Sequence, residues 1–299
     1  MQYELYQVDA FTNTLFEGNP AGVVLNAEGL SESQMLQIAN ELHNSETAFI
    51  FDKKGSGYDL EVRFFTPTRE VPICGHATIS AHYVYAKIHG ITSGTIRQKT
   101  KAGILPVEII KEEEDLRIIM TQAAIEYGPV FNAREKQLLL EALDLADSDL
   151  EQTLPIQIVS TGHSKVLVPL KSKQVLDSLS PKNELLIQLS KEIHCNGFYT
   201  FTFDSEEPGV LVSGRMFAPA IGVPEDPVTG NANGPLGAYL THYGRLPNKK
   251  EGNTFLIKQG EAMGRKGYMQ VHVFRSGLEP ELIKISGRAR IVFKTTIDL

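Results

Sequence analysis

The segment ETAFIFDKKGSGYDLEVRFFTPTREVPICGH, residues 46–76, lies over FYTFTFDSEEPGVLVSGRMFAPAIGVPEDPV, residues 198–228, without a gap. Phe49, Phe51, Asp52, Gly57, Arg63, Phe65, Pro67, Val71 and Pro72 recur as Phe201, Phe203, Asp204, Gly209, Arg215, Phe217, Pro219, Val223 and Pro224. Chance would give about two such matches at ordinary residue frequencies, so the chain carries an internal duplication. The stretch before each block also recurs, LSESQMLQIANELHN against LSPKNELLIQLSKEIHC, and each block is followed by a helix-like run. Two similar lobes are therefore expected, an N-terminal one over residues 1–126 and a C-terminal one over 127–299, with a connector within 121–153. A ligand site between duplicated lobes is the default expectation.

The elements read as α+β. Ser31 followed by Gln34 forms a capping-box pattern ahead of Met35, Ile38, Ala39 and Leu42 at helical spacing. Further helices are predicted over 76–88, 133–145, 182–193 and 231–243. Short β-branched or aromatic runs such as GVVL, TAFIFD, LEVRFF, IQIVS, KVLVPL and YMQVHVF read as strands between them. Strands grouped in blocks around isolated helices suggest α+β rather than a doubly wound parallel sheet. The recurring phenylalanines alternate along strands and belong in the core; Arg63 and Arg215 recur at equivalent places and are expected to form structural salt bridges, with substrate binding as the alternative.

Charge and composition narrow the partners. A formal net charge of -7 disfavours nucleic acid and anionic membranes as partners and leaves room for a small acidic metabolite. The N-terminal MQYELYQVDAF lacks a basic start and an apolar core, and no apolar run is long enough to span a membrane, so a cytoplasmic location is expected. Two cysteines, Cys74 and Cys195, are too few for a disulfide framework and need separate explanations.

Chemistry is sought where the two copies differ. Under the constant offset Cys74 falls on Asp226, Gly75 on Pro227, His76 on Val228 and Glu46 on Phe198, so titratable groups sit asymmetrically on a symmetric frame. GHATISAHYVYAK opens one helix, and PVTGNANGPLGAYLTHY opens its counterpart. Small residues at these starts, Gly75, Ala77, Gly230 and Ala232, would let a carboxylate approach unpaired backbone N–H groups. Simple capping is the alternative reading. Cys74 at a helix start would have a thiol poised to ionise, but Cys-Gly-His lacks a second ligand pair at metal spacing, and no metal is expected. Cysteine and histidine on one turn are not expected to hydrogen-bond as a dyad. Acid/base work remains, and Glu46, at the start of the apolar strand TAFIF, is placed for it, since desolvation there would favour the protonated form. An exposed strand-end carboxylate is the alternative.

DAFTNTLFEGNPAGVVL, ETAFIF, RFFTPTREVPICGHATISA and EDPVTGNANGPLGAYL, in this order over essentially the whole chain, resemble the PhzF-like isomerase family of phenazine biosynthesis. The resemblance implies a diaminopimelate epimerase-like fold, two lobes of mixed sheet each wrapped around a central helix. It also implies a site in the cleft between lobes, a homodimer, and no cofactor. Carried over, Glu46 is the general acid/base, and His76 and Asp226 bind and orient the substrate. The two-thiol epimerase relatives keep a cysteine at both helix starts. Here Cys74 is retained while Asp226 takes the second place. The phenazine enzyme carries serine where this chain has Asn231, so the pocket differs there.

The expected reaction is a proton shift on a small carboxylic acid held over Gly75 to Ala77 and over Gly230 and Asn231, with Asn19 and Pro20 of GNPAG shaping the floor. Two rivals stand beside it: an amino-acid epimerase using Cys74, and a non-catalytic small-acid binding protein.

Overall fold

The computed structural model describes residues 1–299 as two compact units, Met1–Thr121 with Ser286–Leu299, and Gln122–Ile285. The expected division at 126/127 assigned the C-terminal segment to the second lobe. The last strand instead returns to the first unit, where Gln2 pairs with Asp298 and Ala10 with Ala289 along the whole of the first strand. That pairing satisfies a strand edge that would otherwise be open. Nothing in ARIVFKTTID says which lobe it will join.

The first unit contains β1 (Gln2–Ala10), β2 (Asn19–Leu25), α1 (Glu32–Leu42), β3 (Thr47–Phe51), β4 (Leu60–Phe65), β5 (Glu70–Val71), α2 (Gly75–His89), β6 (Gly94–Thr100), β7 (Gly103–Glu112) and β8 (Asp115–Thr121). β1 and β2 are antiparallel, β2 and β3 parallel, β3 and β4 antiparallel, β4 and β6 parallel, and β6, β7 and β8 antiparallel. Each parallel step needs a crossover, supplied by α1 and α2. Ser31 caps α1 with the full capping box.

The second unit contains β9 (Glu126–Val130), α3 (Ala133–Leu143), β10 (Gln157–Ser160), β11 (Ser164–Pro169), α4 (Lys173–Ser178), α5 (Asn183–Ile193), β12 (Phe198–Thr202), β13 (Val210–Ala218), β14 (Val223–Asp226), α6 (Gly230–His242), β15 (Asn253–Gln259) and β16 (Gly267–Ser276). Its pairings repeat the first unit's order: β10 and β11 antiparallel, β11 and β12 parallel, β12 and β13 antiparallel, β13 and β15 parallel, β15 and β16 antiparallel. The duplication is thus topological as well as sequential. The fold is α+β with mixed sheets.

The constant offset does not survive to the helix starts. The match holds through Pro224, but β14 runs on to Asp226 where β5 ends at Val71, so α6 starts after Thr229, three residues beyond Asp226. Thr229, not Asp226, is the counterpart of Cys74. Arg63 and Arg215 do recur as ion pairs. Arg63 binds Glu70 at 2.7 Å and Glu32 at 2.8 Å; Arg215 binds Glu225 at 2.8 Å. Each guanidinium lies over the phenylalanine two residues on, Phe65 or Phe217.

α2 is buried on nearly all sides. Ten of its 15 residues are buried, and it packs against β1, β2, β3, β7, β8 and the C-terminal strand. A helix enclosed in this way has no polar face to offer water. His82 is enclosed within it: Nδ1 lies 3.1 Å from the Thr78 carbonyl and donates to it. Burial pushes its pKa down to about 4, against the weaker opposing effect of the Thr78 hydrogen bond. Between that value and the ordinary 6.5 the unfolded chain binds a proton that the folded chain does not. The stabilising effect of a neutral His82 is therefore complete above pH 6.5 and lost as pH falls toward 4, by about 3 kcal/mol at most. Urea midpoints of His82→Gln should fall less steeply over this window than those of the wild type; parallel curves would refute the assignment.

Candidate active site

The site grows from the junction of β2, β3 and α2. Gly22 in β2 donates its N–H to the Glu46 carbonyl at 3.3 Å, extending the parallel pairing one residue past the start of β3. A Cβ at Gly22 would lie 2.7 Å from Thr47 Oγ1 and 2.7 Å from Leu42 Cδ1, so glycine permits this approach. The Glu46 side chain is left 22% exposed at the edge of an otherwise buried strand. Neither a fully solvated carboxylate nor a sealed one, it can meet a ligand.

α2 begins after Cys74, whose extended backbone ends the preceding segment and whose side chain makes no capping hydrogen bond. The first N–H groups of this helix, at Gly75, His76 and Ala77, are those a helix leaves without intrahelical acceptors. Buried His76 stands in the first turn with its ring among three partners. Nε2 is 3.4 Å from Glu46 Oε2 and 3.2 Å from Ser45 Oγ, while Nδ1 is 3.4 Å from Cys74 Sγ. This overturns the expectation that Cys74 and His76 could not hydrogen-bond from one turn. Helical side chains lean toward the N-terminus, and that tilt carries the ring of His76 back over the residue before the helix.

Glu46, Cys74 and His76 each offer a ligand atom within 4.8 Å of the others. A carboxylate, a thiolate and an imidazole suit a zinc-type ion with an open position. The same atoms would handle a substrate's proton, so the two uses exclude each other. Asn19 opens β2 opposite Ala10 and is 1% exposed. Gly18 before it has φ +67°, and a Cβ there would strike the Ala10 carbonyl at 2.1 Å; the GNP turn requires glycine.

The second unit has its own polar centre. Asp226 ends β14 and accepts a hydrogen bond from the Thr229 hydroxyl. The Asp226 carbonyl accepts from Gln259 Nε2 at 2.8 Å, and Gln259 Oε1 accepts from the Thr229 N–H at 3.2 Å and from Asn233 Nδ2 at 3.1 Å. Tyr199 donates to Asn233 Oδ1 at 2.7 Å. Gln259, Asn233 and Tyr199 are at most 1% exposed, so this network is fully desolvated and holds Asp226 and the start of α6 in one geometry. Thr229 makes no side-chain cap for α6, and Asn231 Oδ1 is buried with no partner. A Cβ at Gly230 would meet Ile285 Cδ1 at 2.5 Å.

Sequence reasoning located Glu46, Cys74, Gly75, His76 and Ala77, which the first unit gathers at one helix start, and Asp226, Gly230 and Asn231, which the second unit gathers at another. It missed Ser45, Gln259 and Tyr199. Asn233 was legible as a polar residue within the glycine-rich run, but Gln259 lies 26 residues further on, and only strand pairing brings it back.

The comparisons with known proteins agree with this architecture. The family model described as "Phenazine biosynthesis-like protein" matches residues 8–295. The chain is 54% identical over 298 residues to an "uncharacterized isomerase" of Clostridium acetobutylicum, covering 100% of this chain and 99% of the relative. It is 30% identical to "Trans-2,3-dihydro-3-hydroxyanthranilate isomerase" of Pseudomonas chlororaphis, with 98% of each chain covered. Among solved structures, the Bacillus anthracis phenazine biosynthesis protein of the PhzF family superposes with a TM-score of 0.90 at 31% identity, covering 100% of both chains. A hydroxyproline epimerase from Agrobacterium vitis shares the fold at TM-score 0.64 and 14% identity, covering 99% of this chain and 91% of that one. No helix is long and apolar enough to cross a membrane. The chain belongs to the PhzF-like, phenazine biosynthesis-like family and is an isomerase of that family.

Proposed function

We propose that the chain moves a proton between two carbons of a small carboxylic acid, with Glu46 as the acid/base that removes it and returns it. The observation that carries this reading is the Glu46 carboxylate, partly open and 3.4 Å from His76 Nε2, beside a helix start with no side-chain cap. The uncapped N–H groups favour a carboxylate, whose charge in turn acidifies nothing by itself; the acidity comes from unsaturation in the substrate. His76 holds a polar substituent and orients Glu46. Proton transfer by one well-placed carboxylate is sufficient for a shift between neighbouring allylic carbons, and needs no second base on the opposite face.

At 30% identity, the substrate in the name of the Pseudomonas chlororaphis relative is informative as a class. A ring acid bearing amino and hydroxyl groups fits the reading. The expectation that Asp226, Gly230 and Asn231 serve the same substrate is carried forward with it. So is a cytoplasmic homodimer acting on a small molecule, without nucleic acid or membrane; sedimentation checks the dimer.

One observation favours a second reading: the Cys74 thiol lies 3.4 Å from His76 Nδ1, as a second proton carrier would require. An epimerase using Cys74 would lose turnover in Cys74→Ser and wash deuterium from solvent into the α-position of its substrate. The isomerase tolerates Cys74→Ser and stops at Glu46→Gln. Assaying both variants on a dihydroaromatic amino acid by proton NMR in deuterated water separates the two.

A further inference from the structure

Glu46 stands just before β3, while Cys74 and His76 straddle the start of α2, so side chains from two separate segments meet with one ligand atom of each within 4.8 Å of the others. Cys-Gly-His alone lacks a further ligand; the fold brings Glu46 to it. His76 Nε2 is the centre of the group, 3.4 Å from Glu46 Oε2 and 3.9 Å from Cys74 Sγ. A tetrahedral zinc ion with ordinary bond lengths sets its ligands about 3.3 Å apart for nitrogen and oxygen and about 3.6 Å apart for nitrogen and sulfur. The spacings from His76 exceed these by a few tenths of an ångström, which small side-chain rotations close. Ser45 Oγ, 3.2 Å from the same nitrogen, gives up its contact when Nε2 turns a lone pair to the ion.

The donor set selects the ion. A thiolate and an imidazole beside a single carboxylate suit zinc and its soft neighbours, whereas magnesium and calcium require oxygen donors. Glu46 and a Cys74 thiolate together balance the charge of a dication, which lowers the desolvation cost of holding it in a largely buried place. The start of α2 favours the thiolate that such an ion needs. Cys74 and His76 are 9% and 7% exposed, while the Glu46 side chain is 22% exposed, so an ion enters past the carboxylate.

We propose that Glu46, Cys74 and His76 form an inhibitory site for zinc, so that a bound ion switches the isomerase off reversibly. This rests on the reading of Glu46 as the acid/base, and it adds a regulatory ligand to that site. An ion on Glu46 occupies the carboxylate that would receive the substrate's proton, and it holds His76 away from a substrate substituent. On binding, bonds form from zinc to sulfur, nitrogen and oxygen, the Cys74 thiol loses its proton to solvent, and water leaves the ion; chelation reverses each step. No electron changes hands.

The test uses the full chain freed of metal by dialysis against EDTA. Cobalt(II), which takes zinc sites and absorbs light, should add one equivalent with a thiolate-to-cobalt charge-transfer band in the near ultraviolet, and zinc should displace it. Magnesium should do neither. Cys74→Ser should abolish the band; the wild-type band itself establishes thiolate ligation if that variant does not fold. His76→Asn and Glu46→Gln should each weaken both ions by more than about tenfold, since losing even an outer partner of a metal ligand costs about 10–100-fold. His242→Asn, which breaks the exposed pair with Glu279, should change nothing. One equivalent of zinc should lower turnover of the dihydroaromatic amino acid by at least about tenfold, and EDTA should restore it. A cobalt complex without the thiolate band, a band that survives in Cys74→Ser, or a zinc-loaded chain that turns over as fast as or faster than the metal-free chain overturns the proposal. If Glu46→Gln keeps full metal-free turnover while wild type shows the band, the acid/base reading fails and the metal site stands. If Glu46→Gln is inactive and wild type takes up no cobalt, the metal site alone fails.

Discussion

Glu46→Gln is expected to lower kcat by at least about a thousandfold while leaving the thermal midpoint and ligand affinity within experimental error of wild type. Glutamine keeps the volume of the side chain and can still place a polar atom near His76 Nε2, now 3.4 Å from the carboxylate. It cannot take up a proton. General acid/base catalysis contributes about 10²–10⁴ in rate, and the upper part of that range applies where one group both removes and returns the proton. Since the Glu46 backbone carbonyl, not its side chain, closes the β2–β3 pairing through Gly22, the substitution leaves the strand in place. Cys74→Ser serves as the control. It removes the thiol beside His76 Nδ1 and should cost less than about tenfold in kcat, a modest loss from reorienting the ring. A dead Cys74→Ser alongside an active Glu46→Gln would transfer the chemistry to the thiol.

The largest stability effect is expected at Arg215. Its side chain is 9% exposed and uses four donors: two to Glu225, at 2.8 and 2.9 Å, and two to the carbonyls of Leu176 and Leu179, at 3.1 and 3.0 Å. Those carbonyls lie at the end of α4, so the guanidinium also terminates that helix. Arg215→Ala strands a half-buried carboxylate and two buried carbonyls and removes the cation over Phe217; about 3–5 kcal/mol is expected. Arg63 occupies the matching place but is 23% exposed, its partner Glu32 is 68% exposed, and Glu70 keeps Lys101 when Arg63 is lost. Arg63→Ala should therefore cost roughly half as much, because water and a second cation compensate. Equal urea midpoints for the two variants would contradict the difference in burial on which this ordering rests.

Much of this molecule was legible in one dimension. The repeat of FxFD, Gly, RxF and VP announced two copies of one topology, and the pairing order of the strands bears that out. Patterns carried by neighbours in sequence held to within a residue or two: the capping box at Ser31, the starts of α2 and α6, and the recurrence of Arg63 and Arg215 as ion pairs. Local backbone chemistry and hydrophobic periodicity decide such features, and both act over a few residues.

The features that failed were those requiring a register or a distant partner. The constant offset set Asp226 against Cys74, but it holds only through Pro224; β14 runs on to Asp226, the second helix starts after Thr229, and Asp226 becomes a strand-end carboxylate tied to that threonine. The Cys74–His76 contact depends on how far a first-turn side chain leans back, which spacing alone does not convey. Lys165 is 7% exposed, and only the bare α-carbon of Gly197, 32 positions away and brought alongside by parallel pairing, shows that its stem is laid into the sheet. The sequence by itself determined the family and the duplicated α+β topology and singled out Glu46 and His76, which lie 3.4 Å apart, since these are written in contiguous motifs. Tertiary structure alone decided which strand completes the first unit's sheet and which distant side chains, such as Gln259 and Tyr199, close around the start of α6, because hydrogen-bond register between strands far apart in the chain is set by the packing of the whole unit.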